Sequence, residues 1–158
     1  MLAIKRMLNR IIFMLLLVVL SYNSNAQISS YITNHKVVAT ILGMGYGIPP
    51  SVILAVALVE SSAGNGATAK VLNNHFGIVG QNEFVNDKGH SSRYKQYTHE
   101  FESYLDFCKM ISRKRFYSKL KDNDNPKLWV KAISKAGYSE DPEQWEKKIF
   151  GIIASNKL

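Results

Sequence analysis

From Val52 to Val59 every position is apolar, and the run ends at Glu60 before a turn of small residues, Ser61-Ser-Ala-Gly-Asn-Gly66. A stretch with no polar face predicts a helix buried on all sides at the centre of a domain. Pro49 or Pro50 suits its first position. Upstream, Ser29 or Ser30 caps a helix carrying Tyr31, Val37, Val38, Ile41 and Leu42, which Gly43, Gly45 and Gly47 should end. Downstream, residues 73–97 lose the helical period. Phe76, Ile78, Phe84 and Val85 alternate with Gly80, Asn86-Asp-Lys-Gly89 and Ser91-Ser92, which predicts a short β-hairpin turning at residues 86–89. Helical spacing returns at Phe101, Tyr104, Leu105, Cys108 and Ile111. Glu100 and Glu102 fall in the first turn of that helix, and Lys109, Arg113, Lys114 and Arg115 near its end, an order that complements the helix dipole. Asn125-Pro126 opens a helix through Leu128, Trp129, Ala132 and Ile133, closed by Gly137. Asp141-Pro142 opens the last, with Trp145, Ile149, Ile152 and Ile153 on its inner side. The pattern is α+β, mostly α, in one domain.

The first 26 residues stand apart from that domain. Lys5, Arg6 and Arg10 precede a short apolar run, Ile11 to Leu20, and Ser24-Asn25-Ala26 offers small residues where a signal peptidase reads. Residues 1–26 are therefore expected to be a secretory signal and residues 27–158 the mature domain. The apolar run is shorter than the roughly 20 residues of a membrane span, so no stable span is expected after processing. The chain carries a formal net charge of +8, and removing the three positives of the signal leaves +5. That balance suits an anionic partner such as a cell-wall polymer, a membrane surface or nucleic acid, and charge does not choose among them; export argues against nucleic acid. The single cysteine, Cys108, permits no internal disulfide and reads as a buried structural thiol. His35, His75, His90 and His99 show no ligand spacing, so neither a catalytic metal nor a cofactor is expected.

The position of Glu60 carries the candidate chemistry. A carboxylate at the end of an apolar helix is partly desolvated and lies at the negative end of the dipole, and both effects raise its pKa. A carboxyl held protonated near neutral pH is what a glycosidase uses to protonate a leaving oxygen. A helix-terminal glutamate that simply faces water is the competing reading on position alone. Four ordered segments decide between the two. They are Gly47-Ile-Pro-Pro-Ser-Val-Ile-Leu-Ala-Val-Ala-Leu-Val-Glu-Ser61, Asn73-Asn-His-Phe-Gly-Ile78, Tyr94-Lys-Gln-Tyr97 with Glu102-Ser103, and Ala136-Gly-Tyr-Ser-Glu-Asp-Pro142. Together they resemble the glucosaminidase domain of glycoside hydrolase family 73, the peptidoglycan N-acetylglucosaminidases of the autolysin and flagellar wall-hydrolase type. The resemblance runs from about Tyr31 to Leu158.

The resemblance implies a lysozyme-like fold, a helical domain with a small β-hairpin lobe flanking a cleft. It implies an exported, monomeric enzyme acting on peptidoglycan glycan strands at the β-1,4 bond between N-acetylglucosamine and N-acetylmuramic acid. Glu60 occupies the family's general-acid position, and Tyr138 matches the tyrosine that lines the cleft beside the acid. Asn74, Phe76, Gly77 and Tyr97 match segments that border the sugar site. A second carboxylate is expected in the hairpin, at Asp87 in preference to Glu83. Inversion through that carboxylate and retention through the substrate's own acetamido group both remain open. Two alternatives share these residues: a lytic transglycosylase, and a wall-binding protein on a decayed lysozyme-like fold. The chain departs from the common pattern at Ser62-Ala63, where many members carry Gly-Trp, and at Ser91-Ser92-Arg93.

Overall fold

The computed structural model describes residues 2–83 and 92–158. Seven helices follow one another among them: α1 Leu2–Tyr46, α2 Pro50–Glu60, α3 Ala67–Leu72, α4 Glu100–Ser112, α5 Tyr117–Leu120, α6 Pro126–Lys135 and α7 Pro142–Asn156. The architecture is mostly helical, as the hydrophobic spacing predicts. α2 is the axis. Val52 to Leu58 are all buried, between 0 and 4% exposed. Around it pack α1, α4, α6 and α7, so its apolar circumference is matched by neighbours on every side.

Two helix boundaries differ from the sequence reading. α1 does not begin at Ser29 or Ser30 but runs without a break from Leu2, and Gly43 and Gly45 lie inside it. Gly43 serves a close approach. A Cβ there would sit 2.7 Å from the Ile48 carbonyl oxygen and 2.9 Å from the Pro50 ring, so only glycine lets the α1–α2 corner close. The helix stops at Gly47, whose φ of +61° is left-handed. The stripe of α4 also turns relative to expectation. Tyr104, Phe107, Cys108 and Ile111 are buried, whereas Phe101 is 46% exposed. Cys108 is fully buried, and burial pushes its thiol up to about 12. α3 and α5 are too short to announce themselves by periodicity. α6 and α7 start as their Asx-Pro pairs predict: Asn125 accepts from the Lys127 amide at 3.0 Å and Asp141 from the Gln144 amide at 3.1 Å.

The turn after α2 holds three consecutive left-handed residues, Ser62 (φ 51°), Ala63 (φ 52°) and Gly64 (φ 79°). The first two carry a Cβ and are strained there. The surrounding bonds hold them in place. Ser61 Oγ accepts from the Gly64 amide at 2.9 Å, and the Gly66 amide donates to the Ser61 carbonyl at 2.8 Å. Gln27 Nε2 donates from α1 to the carbonyls of Ser62 and Ala63. Replacing Ser62 by glycine removes the Cβ penalty, and Ser62→Gly is expected to raise stability by about 0.5–1 kcal/mol in denaturant titration.

The segment after α3 is clamped by one buried asparagine. Asn74 Oδ1 accepts from the amides of Phe76 and Ile78, while its Nδ2 donates to the carbonyls of Ile78 and Lys95, both at 2.8 Å. The described flanks of the expected hairpin meet at one isolated antiparallel bridge, Val79 with Tyr94. Gly80 and Lys95 extend it with amide bonds to the carbonyls of Arg93 and Ile78. The expected turn at 86–89, with Phe84, Val85 and Asp87, lies outside the described residues.

Candidate active site

Glu60 is the last residue of α2 and emerges from the core onto the floor of a cleft of about 650 Å³. Its walls are the loop Phe76-Gly-Ile-Val79, the return segment Arg93-Tyr94, Met110 and Lys114 of the α4 end, and Gly137 to Glu140 after α6. Trp145 of α7 reaches under the cleft and donates its Nε1–H to Glu60 Oε1 at 2.7 Å. Burial raises the Glu60 carboxyl above its ordinary range. The Trp145 bond and the Lys148 charge oppose that rise without cancelling it. The carboxyl thus keeps its proton to higher pH than a surface glutamate, with one oxygen fixed by the indole.

Tyr138 stands beside it. Its hydroxyl donates to the Phe76 carbonyl at 2.8 Å, and its ring lies 5.5 Å from Trp145 and 5.9 Å from Phe107, centre to centre. Burial first, and the nearby Glu60 charge second, keep the phenol well above its ordinary pKa, so it remains a hydrogen-bond donor. Gly77 completes the inner wall. Its φ is +63°, and a Cβ there would stand 3.9 Å from Glu60 Oε2 and 3.8 Å from the Tyr94 ring. A Cβ would thus make ordinary contact with both, and it is the left-handed φ that disfavours a side chain here.

Glu60, Tyr138 and Gly77 are thus brought together, whereas three other expected residues take structural places. The Phe76 ring is 2% exposed and stacks on Phe107 at 4.3 Å, so it has no free face for a sugar. Its carbonyl, not its ring, holds Tyr138. Asn74 is fully buried and spends both ends of its amide on the loop clamp. Tyr97 is 6% exposed and donates its hydroxyl to Asp106 at 2.8 Å, beside the Lys95–Asp106 ion pair. It borders a different hollow, together with Asn73, Gln81 and Glu83. Glu83 therefore does not face Glu60, and Asp87 lies outside the described residues. Sequence reasoning missed Tyr94, Arg93, Lys114 and Glu140 as cleft residues and gave Trp145 only a packing role. A signal was present for Trp145, an aromatic carried by the helix that follows the Ala-Gly-Tyr motif.

Behind the loop, His75 is buried and pairs through Nδ1 with the Tyr31 hydroxyl at 2.7 Å, which also meets Tyr104 at 2.8 Å. This network props both the 61–66 turn, where Tyr31 touches the face of Gly64, and the 74–78 loop. Burial, with His35 adding to it, pushes the His75 pKa down to about 4 from 6.5. The unfolded chain takes up a proton at His75 near pH 6.5, and the folded chain does so only near pH 4. The contribution is complete above the unfolded value and is lost as pH falls across that window. His75→Gln is expected to flatten the fall in Tm between pH 6.5 and 4.

The glucosaminidase family, described as mannosyl-glycoprotein endo-β-N-acetylglucosaminidase, matches residues 37–158. The chain belongs to this family of glycoside hydrolases. Among its relatives, the exo-glucosaminidase LytG of Bacillus subtilis is 29% identical, over 76% of this chain and 48% of its own length. The chain thus spans about half of that relative. The glycoside hydrolase domain of Salmonella typhimurium FlgJ superposes with a TM-score of 0.65 at 21% identity, covering 82% of this chain and 88% of that one. The catalytic domain of the Listeria monocytogenes autolysin Auto gives 0.66 at 21% identity, covering 82% and 84%. Both share the fold. Among the described residues no helix is long and apolar enough to cross a membrane.

Proposed function

We propose that this protein is an exported peptidoglycan hydrolase that cuts within glycan strands at the β-1,4 bond between N-acetylglucosamine and N-acetylmuramic acid. The observation that carries the reading is Glu60, a carboxyl with a raised pKa on the floor of an open cleft, oriented by Trp145 and flanked by Tyr138. Membership of the glucosaminidase family supports the bond type. The names of relatives, an autolysin among them, support the wall polymer.

In this reading Glu60 protonates the glycosidic oxygen as the C1–O bond breaks, and the leaving sugar departs as a neutral alcohol. The oxocarbenium-like centre at C1 is then taken by water. The proton of that water goes to a carboxylate, for which Asp87 is the candidate, or the substrate's acetamido oxygen first closes on C1 and water then opens that ring, giving its proton to the Glu60 carboxylate and restoring the acid. Tyr138 orients the acetamido group or the water, and Gly77 leaves the space in which the sugar approaches. Asn74 and Phe76 hold the loop that forms this wall, and Tyr97 braces the segment behind it through Asp106. Residues 1–26 serve as the export signal. Gln27, the first residue after the proposed cut, donates to the carbonyls of the Ser62–Ala63 turn.

Digestion of purified peptidoglycan, read by mass spectrometry, tests this. New reducing N-acetylglucosamine ends on fragments of mixed length are expected. Anhydro-muramyl ends would assign the protein to the transglycosylases, release of single sugars from one end would make it an exo-enzyme, and wall binding without cleavage would remove the hydrolase reading.

A further inference from the structure

Two cations face the Glu60 cleft with no carboxylate partner among the described residues. Arg93 is exposed on the return segment, with its guanidinium over the Tyr94 ring at 5.4 Å from the centroid. Lys114, half-buried, follows the end of α4 on the same cleft. Among the described residues neither forms an ion pair. The neighbouring Lys95 shows what a satisfied cation looks like here, paired with Asp106 at 2.6 Å. The acids of the cleft are Glu60 on the floor and Glu140 on the rim, and neither lies in salt-bridge contact with Arg93 or Lys114.

A neutral chitin-like chain offers these two cations hydroxyl and carbonyl oxygens but no opposite charge. A carboxylated glycan does. We propose that Arg93 and Lys114 are specificity residues that receive a substrate carboxylate, so that the cleft takes anionic, muramoyl-type glycan in preference to uncharged N-acetylglucosamine polymers. This rests on the glycan-cleaving reading above and names its substrate class more closely. The physical case is that unpaired cations at a cleft raise both encounter rate and register for an anion. The Tyr94 ring under Arg93 holds the guanidinium at the cleft. The carboxylate has two sources in peptidoglycan: the lactyl group, which is free where stem peptides have been removed, and the acidic residues of the stem peptide.

The test is a binding measurement, so it does not depend on turnover. The full chain carrying Glu60→Gln, with and without Arg93→Gln plus Lys114→Gln, is titrated with three soluble probes: peptide-bearing glycan fragments, amidase-treated fragments with free lactyl groups, and chitooligosaccharides of equal length. The double substitution is expected to raise the Kd for at least one carboxylated probe by about tenfold at low salt, with the effect shrinking as salt rises. The Kd for the chitooligosaccharide is expected to change less than about twofold. Loss on the peptide-bearing probe alone assigns the stem peptide, and loss on the amidase-treated probe assigns the lactyl group. Equal loss on all three probes, or none on any, overturns the proposal. Failure of the hydrolase reading shows up separately, as no cleavage of any probe by the wild-type chain.

Discussion

Glu60→Gln is expected to lower the rate of wall-glycan cleavage by about 10²- to 10⁴-fold, the range that loss of a general acid produces. The amide is nearly isosteric and can still accept from Trp145, so the cleft keeps its shape and only the transferable proton is lost. Release of reducing ends from peptidoglycan, wild type against variant at equal concentration, is the measurement. A variant retaining more than about a tenth of wild-type activity would sink the assignment of Glu60 as the acid. The same substitution has a second consequence that requires no substrate. The Glu60 pKa is raised on folding, so folding favours the protonated carboxyl. Its contribution is present below the ordinary pKa of 4.5 and is lost as pH rises through the raised value. Above that window the chain keeps a desolvated negative charge at the end of α2, which a neutral amide in its place does not carry. Glu60→Gln is therefore expected to melt at higher temperature than wild type at about pH 7, and the gap to close as pH falls towards 4.5. A lower Tm for the variant at neutral pH would contradict the burial argument. An acidic group kept in a site that destabilises it is a common cost of catalytic function.

Trp145 gives the second large effect. It is 5% exposed, packs against Tyr138 and supplies the hydrogen bond to Glu60. Trp145→Ala is expected to cost about 3–5 kcal/mol of stability, the range for removing a buried aromatic. Trp145→Phe separates packing from chemistry, because it keeps a ring but loses the Nε1–H. The indole lowers the Glu60 pKa, so its loss lets burial push that pKa further up. An acid catalyst must be protonated. The alkaline limb of the kcat/KM profile should therefore move to higher pH in Trp145→Phe. A limb that stays in place would show that the indole does not tune the acid.

Much of this arrangement was legible in local pattern. The unbroken run at 52–59 marks α2 as central because a helix without a polar face has nowhere else to go. Pro126 and Pro142, each behind an Asx residue, mark two helix starts because Asn125 and Asp141 can accept the orphan amides there. The small-residue turn after Glu60 reads as a helix end, and three left-handed residues fill it. Periodicity misleads where a residue answers to a distant neighbour. Gly43 looks like a stop signal, yet it sits mid-helix because the corner at Ile48 and Pro50 presses on it. Phe76 and Tyr97 match segments that border the sugar site in the family, and in the fold Phe107 stacks on one ring while Asp106 binds the hydroxyl of the other.

The sequence by itself determined the helical class, the family and the place of a glutamate at the end of the central apolar helix, because those rest on short-range patterns of apolar spacing, capping and motif order. Only the tertiary structure decided how that acid is tuned and what it faces. Trp145 lies 85 positions from Glu60, and Tyr138 lies 62 from the carbonyl it binds. No local propensity links such residues. They meet because α6 and α7 pack beside α2, and once packed there they set the burial, the hydrogen bond and the cleft wall around one glutamate.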